Sequence, residues 1–280
     1  MLALTCCGVV SWWVGSALIA PAERHVGAAP QDLAATTVSI PSDSGATLAG
    51  WHTRSQHAAG VIVMAHGIRS CRLAMVERAR LCQKLGYSTV LIDLQAHGES
   101  SGDCITVGHL EKHDVRAAVE YARREHPHEP IGVIGVSLGG AAALLASPLP
   151  IDALVLESVF PDVAVAIQNR VKSRLGPLAT IPSALLLAQL RPRLGISPSQ
   201  LRPIDHISNV GCPVFVISGT ADQHTTPLEA SSLFSSARQP KDLWLVQDAA
   251  HVDLHAIAPH EYESRVGKFF QSHLQVTTTD

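Results

Sequence analysis

The sequence predicts an α/β fold: a mainly parallel sheet of about eight strands, covered by helices on both faces, with a small helical cap. Three observations point there. From Val61 onward, short apolar runs alternate with helical segments, as in strands buried on both faces. One run, Ile131–Val136, breaks into Gly135-x-Ser137-x-Gly139 and resumes as an Ala/Leu-rich helix. Residues 160–210 interrupt the alternation with helical pieces broken by Pro177, Pro182, Pro192 and Pro198. A chain of 280 residues, 46% hydrophobic and 16% charged, suffices for one large domain with a substantial core.

Taken in order, Leu2–Ala22 carries no charged residue and matches the ~20 residues that span a bilayer. It has no basic n-region beyond the amino terminus and no clear A-x-A cleavage site, since its one Ala-x-Ala has proline in the middle. We read residues 1–30 as an apolar segment with its linker. It is expected to be an uncleaved single-span membrane anchor, ahead of a signal-like segment of an exported chain. The side of the membrane stays open. A helix packed on the domain is the competing reading. Cys6-Cys7 lies in a poor lipoprotein cleavage context, so lipidation is not expected.

Residues 31–280 are assigned to the folded domain. Val38–Ile40 and Thr47–His52 flank the turn Pro41–Gly45, which suits an antiparallel hairpin at a sheet edge. Strands follow at Val61–Ala65, Ser88–Asp93, Ile131–Val136, Ala153–Leu156, Pro213–Gly219 and Leu243–Val246. Helices are predicted over Met75–Leu85, Leu110–Glu125, Ser137–Ala146, Pro227–Ser236 and Pro259–Leu274. Residues 160–210 are too long for a connection and read as a cap insertion, with helices at Val163–Leu175 and Ser183–Leu190. Leu185–Leu190 could line an apolar pocket, although packing of the cap on the core explains it as well.

Composition excludes some functions. Net charge is −3, and Lys and Arg are scattered with no basic stripe, so no nucleic-acid partner is expected. The six cysteines form no C-x-x-C pair and fit neither a zinc module nor a small disulfide framework. They read as isolated thiols.

The chemistry centres on Ser137. A strand, a Gly-x-Ser-x-Gly turn and a helix are the context of a nucleophile elbow, where side chains at Gly135 and Gly139 would collide with their surroundings. A serine hydroxyl needs an adjacent base, and the base needs an orienting acid. Asp222, just after the Pro213–Gly219 strand, is the expected acid. Asp205 lies in the cap and Asp248 is too near the base. His251, after the last strand, is the expected base, with His255 as its rival. A His-x-x-x-His pair can bind zinc, but no third ligand is evident, and no metal is expected. The backbone amides of Leu138 and Ile68, the latter in His66-Gly67-Ile68-Arg69, are the expected oxyanion donors. His97 precedes Ser137 and is read, with Asp93, as holding its loop by hydrogen bonds. For His109, Glu111, His113 and Asp114, capping and solvation suffice.

Five motifs stand in order: His66-Gly67, Asp93…His97-Gly98-x-Ser100, Gly135-Val-Ser137-Leu-Gly139-Gly140, Gly219-Thr-x-Asp222 and Ala250-His251. In these the chain, from about residue 36 to its end, resembles the α/β-hydrolase superfamily. Within it, the chain is similar to the bacterial prolyl-oligopeptidase and dienelactone-hydrolase-like branch, and to membrane-associated acyl-protein thioesterase-like hydrolases. The resemblance implies cofactor-free hydrolysis of a small-molecule ester, thioester or peptide by Ser137, Asp222 and His251. The chain has no room for the propeller of true oligopeptidases, which weakens the peptidase reading. A non-catalytic acyl-ligand-binding protein on the same fold is the other alternative.

Overall fold

The computed structural model describes residues 2–56 and 59–274, except the side chains of residues 2–7, so the Cys6 and Cys7 side chains lie outside it. Eight strands form one sheet: β1 Thr36–Pro41, β2 Thr47–Thr53, β3 Val61–Ala65, β4 Ser88–Ile92, β5 Ile131–Val136, β6 Ala153–Glu157, β7 Val214–Gly219 and β8 Lys241–Val246. Their order is β8-β7-β6-β5-β3-β4-β2-β1. β1 and β2 are an antiparallel hairpin, with Val38 opposite Gly50 and Ile40 opposite Leu48, and β2 runs antiparallel to β4. All other neighbours are parallel.

The inner strands read as continuous apolar runs because both faces are covered. Val61, Val63 and Ala65 of β3 point into one core with Val133 and Leu154, packed under α3 Glu111–Glu125 and α4 Leu138–Leu145. Ile62 and Met64 point into the other with Ile134, Val155 and Phe215. Helices α2 Val76–Lys84 and α9 Pro259–His273 cover that side. Helix α8 Pro227–Ser236 begins at a Thr226/Glu229 capping box.

Boundaries differ where the apolar signal is weak. β8 begins at Lys241, not Leu243. It is an edge strand whose backbone pairs Lys241 with Val214 although its side chains stay partly wet. Residues 72–75 form a 3-10 turn ahead of α2. In the cap, α5 Val163–Leu175 lies where periodicity places it. Helix α6 Thr180–Ala188 starts before Ser183 and is followed by α7 Leu190–Leu194. Pro182 falls in the first turn of α6, where no intrahelical N–H is needed.

Helix α1 Leu2–Ile19 packs on α6 of the cap. Gln189 Nε2 donates to Ser11 Oγ at 2.9 Å and to Ser11 O at 3.0 Å. Arg69 Nη1 donates to Ala17 O at 3.1 Å and Ala20 O at 3.2 Å. Just beyond, Ala22–Glu23 pairs in parallel with His97–Gly98. Among the described residues, no helix is long and apolar enough to cross a membrane.

Under β6 lies a buried ionic cluster. Arg78 donates through Nε to Glu157 Oε1 (2.8 Å) and through Nη2 to Glu157 Oε2 (2.5 Å) and Asp253 Oδ1 (2.9 Å). The Tyr262 hydroxyl donates to Glu157 Oε1. Burial lowers the Arg78 pKa, but the Glu157 carboxylate outweighs it and holds the guanidinium well above its ordinary value. Arg78→Met leaves Glu157 buried with no counter-charge, and such losses cost about 3–5 kcal/mol. We expect a loss of that size in urea denaturation, and less when Glu157→Leu is combined with it. Equal losses in the single and double variants would contradict the pairing.

Candidate active site

The chain turns sharply between β5 and α4, and Ser137 sits at the turn with φ 48° and ψ −107°. A non-glycine residue holds such a conformation only when its surroundings over-determine it. Here Ser137 N donates to Glu157 O (2.8 Å), Gly139 N to His66 O (3.1 Å) and Ala141 N to Ser137 O (2.9 Å). A Cβ on Gly139 would stand 2.3 Å from Ala65 O, so only glycine lets α4 lie this close to β3.

The loops after β7 and β8 are joined to each other. Thr220 N donates to Val246 O (2.9 Å) and Ala221 N to Ala249 O (2.9 Å). Asp248 N donates to Thr220 Oγ1 at 2.7 Å. A Cβ on Gly219 would come within 2.1 Å of Ala249 O. This seam sets Asp222 against His251: His251 Nδ1 lies 2.8 Å from Asp222 Oδ2. The other carboxylate oxygen accepts the amides of His224 (2.8 Å) and Thr225 (2.9 Å). Burial raises the Asp222 pKa, but the His251 hydrogen bond, the imidazole charge and the two amides outweigh it, and the net shift is downward. Asp222 is therefore a buried carboxylate that stays ionised, aimed at one imidazole nitrogen.

Ser137 is buried, and among the described residues its hydroxyl makes no side-chain hydrogen bond; such contacts often close only when substrate is bound. Leu138 and Ile68 line the same cavity as Ser137. Their amides donate to no protein acceptor outside regular helix and strand pairing among the described residues. Gly67 lies against the serine, since a Cβ there would be 3.5 Å from Ser137 Cβ. His66 fixes this loop: its Nε2 accepts Leu94 N at 3.1 Å, which leaves Nδ1 to donate to Gly67 O at 2.7 Å.

The cavity encloses about 120 Å³ and is almost wholly apolar. Phe160, Ile167, Leu186 and Leu190 line it from the cap side, so Leu185–Leu190 both packs and lines. Gly15, Leu18 and Ile19 of α1 form another wall. The lining includes no carboxylate; its charged members are Arg170 and Arg193.

Several functional neighbours escape sequence reasoning. His224 stacks near His251, with ring centroids 5.2 Å apart. Burial, then the charge of Arg170, lowers its pKa, which disfavours a charged His224 ring beside His251. The D-x-x-T turn after Asp222 was a signal for its carboxylate-capping loop; nothing marked Arg170. His255 lies elsewhere, buried edge-on against Tyr262 at 4.9 Å. Among the described residues, no group of three His, Cys, Asp or Glu side chains could hold a metal. His97 and Asp93 do hold their loop: His97 Nδ1 lies 2.9 Å from Gln95 O, and Asp93 accepts Arg72 N (2.6 Å) and Glu99 N (2.9 Å). Solvation does not describe Glu111 or Asp114, which are fully buried. Glu111 accepts Thr106 N (2.8 Å) and Gly108 N (2.8 Å), and Asp114 accepts the Ser42 (2.7 Å) and Ser44 (2.6 Å) hydroxyls.

The family model for serine aminopeptidase, S33, matches residues 56–204. The uncharacterized protein YqkD of Bacillus subtilis is 25% identical over 244 residues, 85% of this chain and 79% of its own. The Pyrococcus furiosus esterase Pf2001 superposes with a TM-score of 0.74 at 26% identity, covering 91% of this chain and 99% of that one. A dienelactone hydrolase from Anabaena variabilis superposes at 0.64 with 19% identity, covering 86% and 98%.

Two buried histidines set an acid sensitivity. Burial, reinforced by neighbouring positive charge, lowers the pKa of His52 to about 4 and of His66 to about 3. Both lie below the unfolded value of about 6.5, so the unfolded chain binds more protons. These rings therefore remove stability as pH falls from about 6.5 toward 4. Asp114, raised to about 6 by burial, and Asp93, also raised by burial, oppose them. Denaturation at pH 7 and pH 4.5 should show a lower midpoint in acid. Ring NMR should show His66 neutral with the proton on Nδ1 at pH 5; a ring titrating near 6.5 would contradict this.

Proposed function

Since the chain belongs to the serine aminopeptidase S33 family of the α/β-hydrolase superfamily, we propose that it cleaves carboxylic esters or thioesters through an acyl-enzyme. The observation that carries this reading is the His251–Asp222 pair on the loops joined at Gly219, at the same strand ends as the Ser137 elbow. Ser137 Oγ attacks the carbonyl while His251 Nε2 takes its proton. Asp222 holds Nδ1–H and balances the imidazolium. The Leu138 and Ile68 amides receive the oxyanion. His251 then protonates the leaving alcohol or thiol, and water activated by the same ring releases the acid.

The cavity favours an acyl ester over an aminopeptide. An aminopeptidase must seat an α-ammonium, which calls for a carboxylate or several carbonyl acceptors near the nucleophile. This lining has none of the first, and its charged side chains are two arginines. An apolar acyl chain fits instead.

We expect a fluorophosphonate probe to label the wild type and not Ser137→Ala. Asp222→Asn should lower kcat by about 10³–10⁴-fold, the penalty of a misoriented base. Across an acyl-chain series, kcat/KM should rise to medium length and fall beyond it, with aminoacyl amides far slower. Equal labelling of wild type and Ser137→Ala, or faster amide than ester turnover, would refute the assignment.

A further inference from the structure

Helix α1 is built inside out. Ser11 and Gly15 are buried, while Val9, Val10, Trp13, Val14 and Leu18 stand in solvent. Trp13 is 72% exposed. A helix resting on a soluble domain turns its apolar stripe inward. Here the small residues face in because the contact is close: a Cβ on Gly15 would lie 2.2 Å from Gln189 Oε1. Arg193 clamps the same face, donating to Ser16 Oγ at 2.9 Å with its guanidinium 3.7 Å from the Trp12 ring centroid. The apolar exposure continues on the adjoining cap, where Leu178 is 77% and Ile181 66% exposed. Large apolar side chains exposed on one helix and on the cap it packs against mark an interaction site.

Charge identifies the partner. Between residues 163 and 204 there are six Arg and Lys and no Asp or Glu, in a chain whose net charge is −3. Lys172, Arg174 and Arg191 are exposed and make no ion pair among the described residues. Apolar side chains that include tryptophan, flanked by free cations, match an anionic lipid surface, where both terms add. A crossing helix does not fit, since no described helix is long and apolar enough and α1 is tied to the cap through Ser11 and Ser16.

We propose that the outer face of α1 and the adjoining helices α5 and α6 seat the protein in the plane of an anionic bilayer. The cavity behind α1 then draws its acyl substrate from the lipid. Only that last clause rests on the hydrolase reading; the docking does not.

The test uses the full chain and preformed vesicles of phosphatidylcholine, with and without phosphatidylglycerol. Cosedimentation should be at least tenfold stronger on the phosphatidylglycerol vesicles and weaken with salt, with a blue shift of tryptophan emission. Trp13→Ser with Leu178→Ser should weaken it at least tenfold. Lys172→Glu with Arg174→Glu should weaken it about tenfold on anionic vesicles only. None of these four residues lines the cavity, so turnover of a soluble short-chain ester should not change, which also reports folding. Ser137→Ala should bind vesicles like the wild type, which separates failure of docking from failure of the hydrolase assignment. Three results would overturn the proposal: no vesicle binding by an active protein, binding indifferent to Trp13→Ser and Leu178→Ser, or a dimer closing this face with no affinity for lipid.

Discussion

The backbone at Ser137 is held in a conformation that L-residues adopt reluctantly, at a cost of about 1–3 kcal/mol. The surrounding architecture is what keeps it there. β3 supplies the surface against which Gly139 is pressed, β6 supplies the carbonyl of Glu157, and His66 supplies another. Glu157 is itself immobilised by Arg78 and Tyr262 from the opposite side of the sheet. The strained turn thus draws on both cores at once. The parallel sheet suits this arrangement, because it brings the ends of β3, β5 and β6 side by side with their loops on one edge.

Electrostatics divides the buried polar groups into two kinds. Asp222 is kept charged by an imidazole and two amides, as a group facing developing positive charge must be. His52, which ties its strand to Tyr121 and His126, and His66, which holds a loop, are disfavoured as cations by burial. For His66 neutrality has a geometric use, since one ring nitrogen accepts from Leu94 and the other donates to Gly67. A protonated ring could not accept, and the loop carrying Ile68 would lose its support.

Much of the architecture was legible in the chain. Ile131–Val136, Val61–Ala65, Val163–Leu175 and Pro227–Ser236 lie where apolar runs, periodicity and proline place them. Order along the chain also singled out Asp222 and His251, which the fold brings together. Features made by distant pairs were not legible. Asp114 and Glu157 look like ordinary surface acids, because their partners lie on other elements. Helix α1 was opaque for another reason: its residues are apolar all round, so no stripe showed which side would meet the domain. Its contact face is decided by Gly15 and Ser11, where smallness, not hydrophobicity, permits approach.

That helix begins at the second residue of the chain and still forms a wall of the cavity through Gly15, Leu18 and Ile19. Proteolysis after Ala20 would therefore leave Ser137, Asp222 and His251 in place and yet produce a different catalyst. The trough would be open along one side, with Leu186 and Leu190 bare to water. An N-terminal trim made to ease purification would alter what the protein selects, and its substrate profile would be that of an unroofed relative.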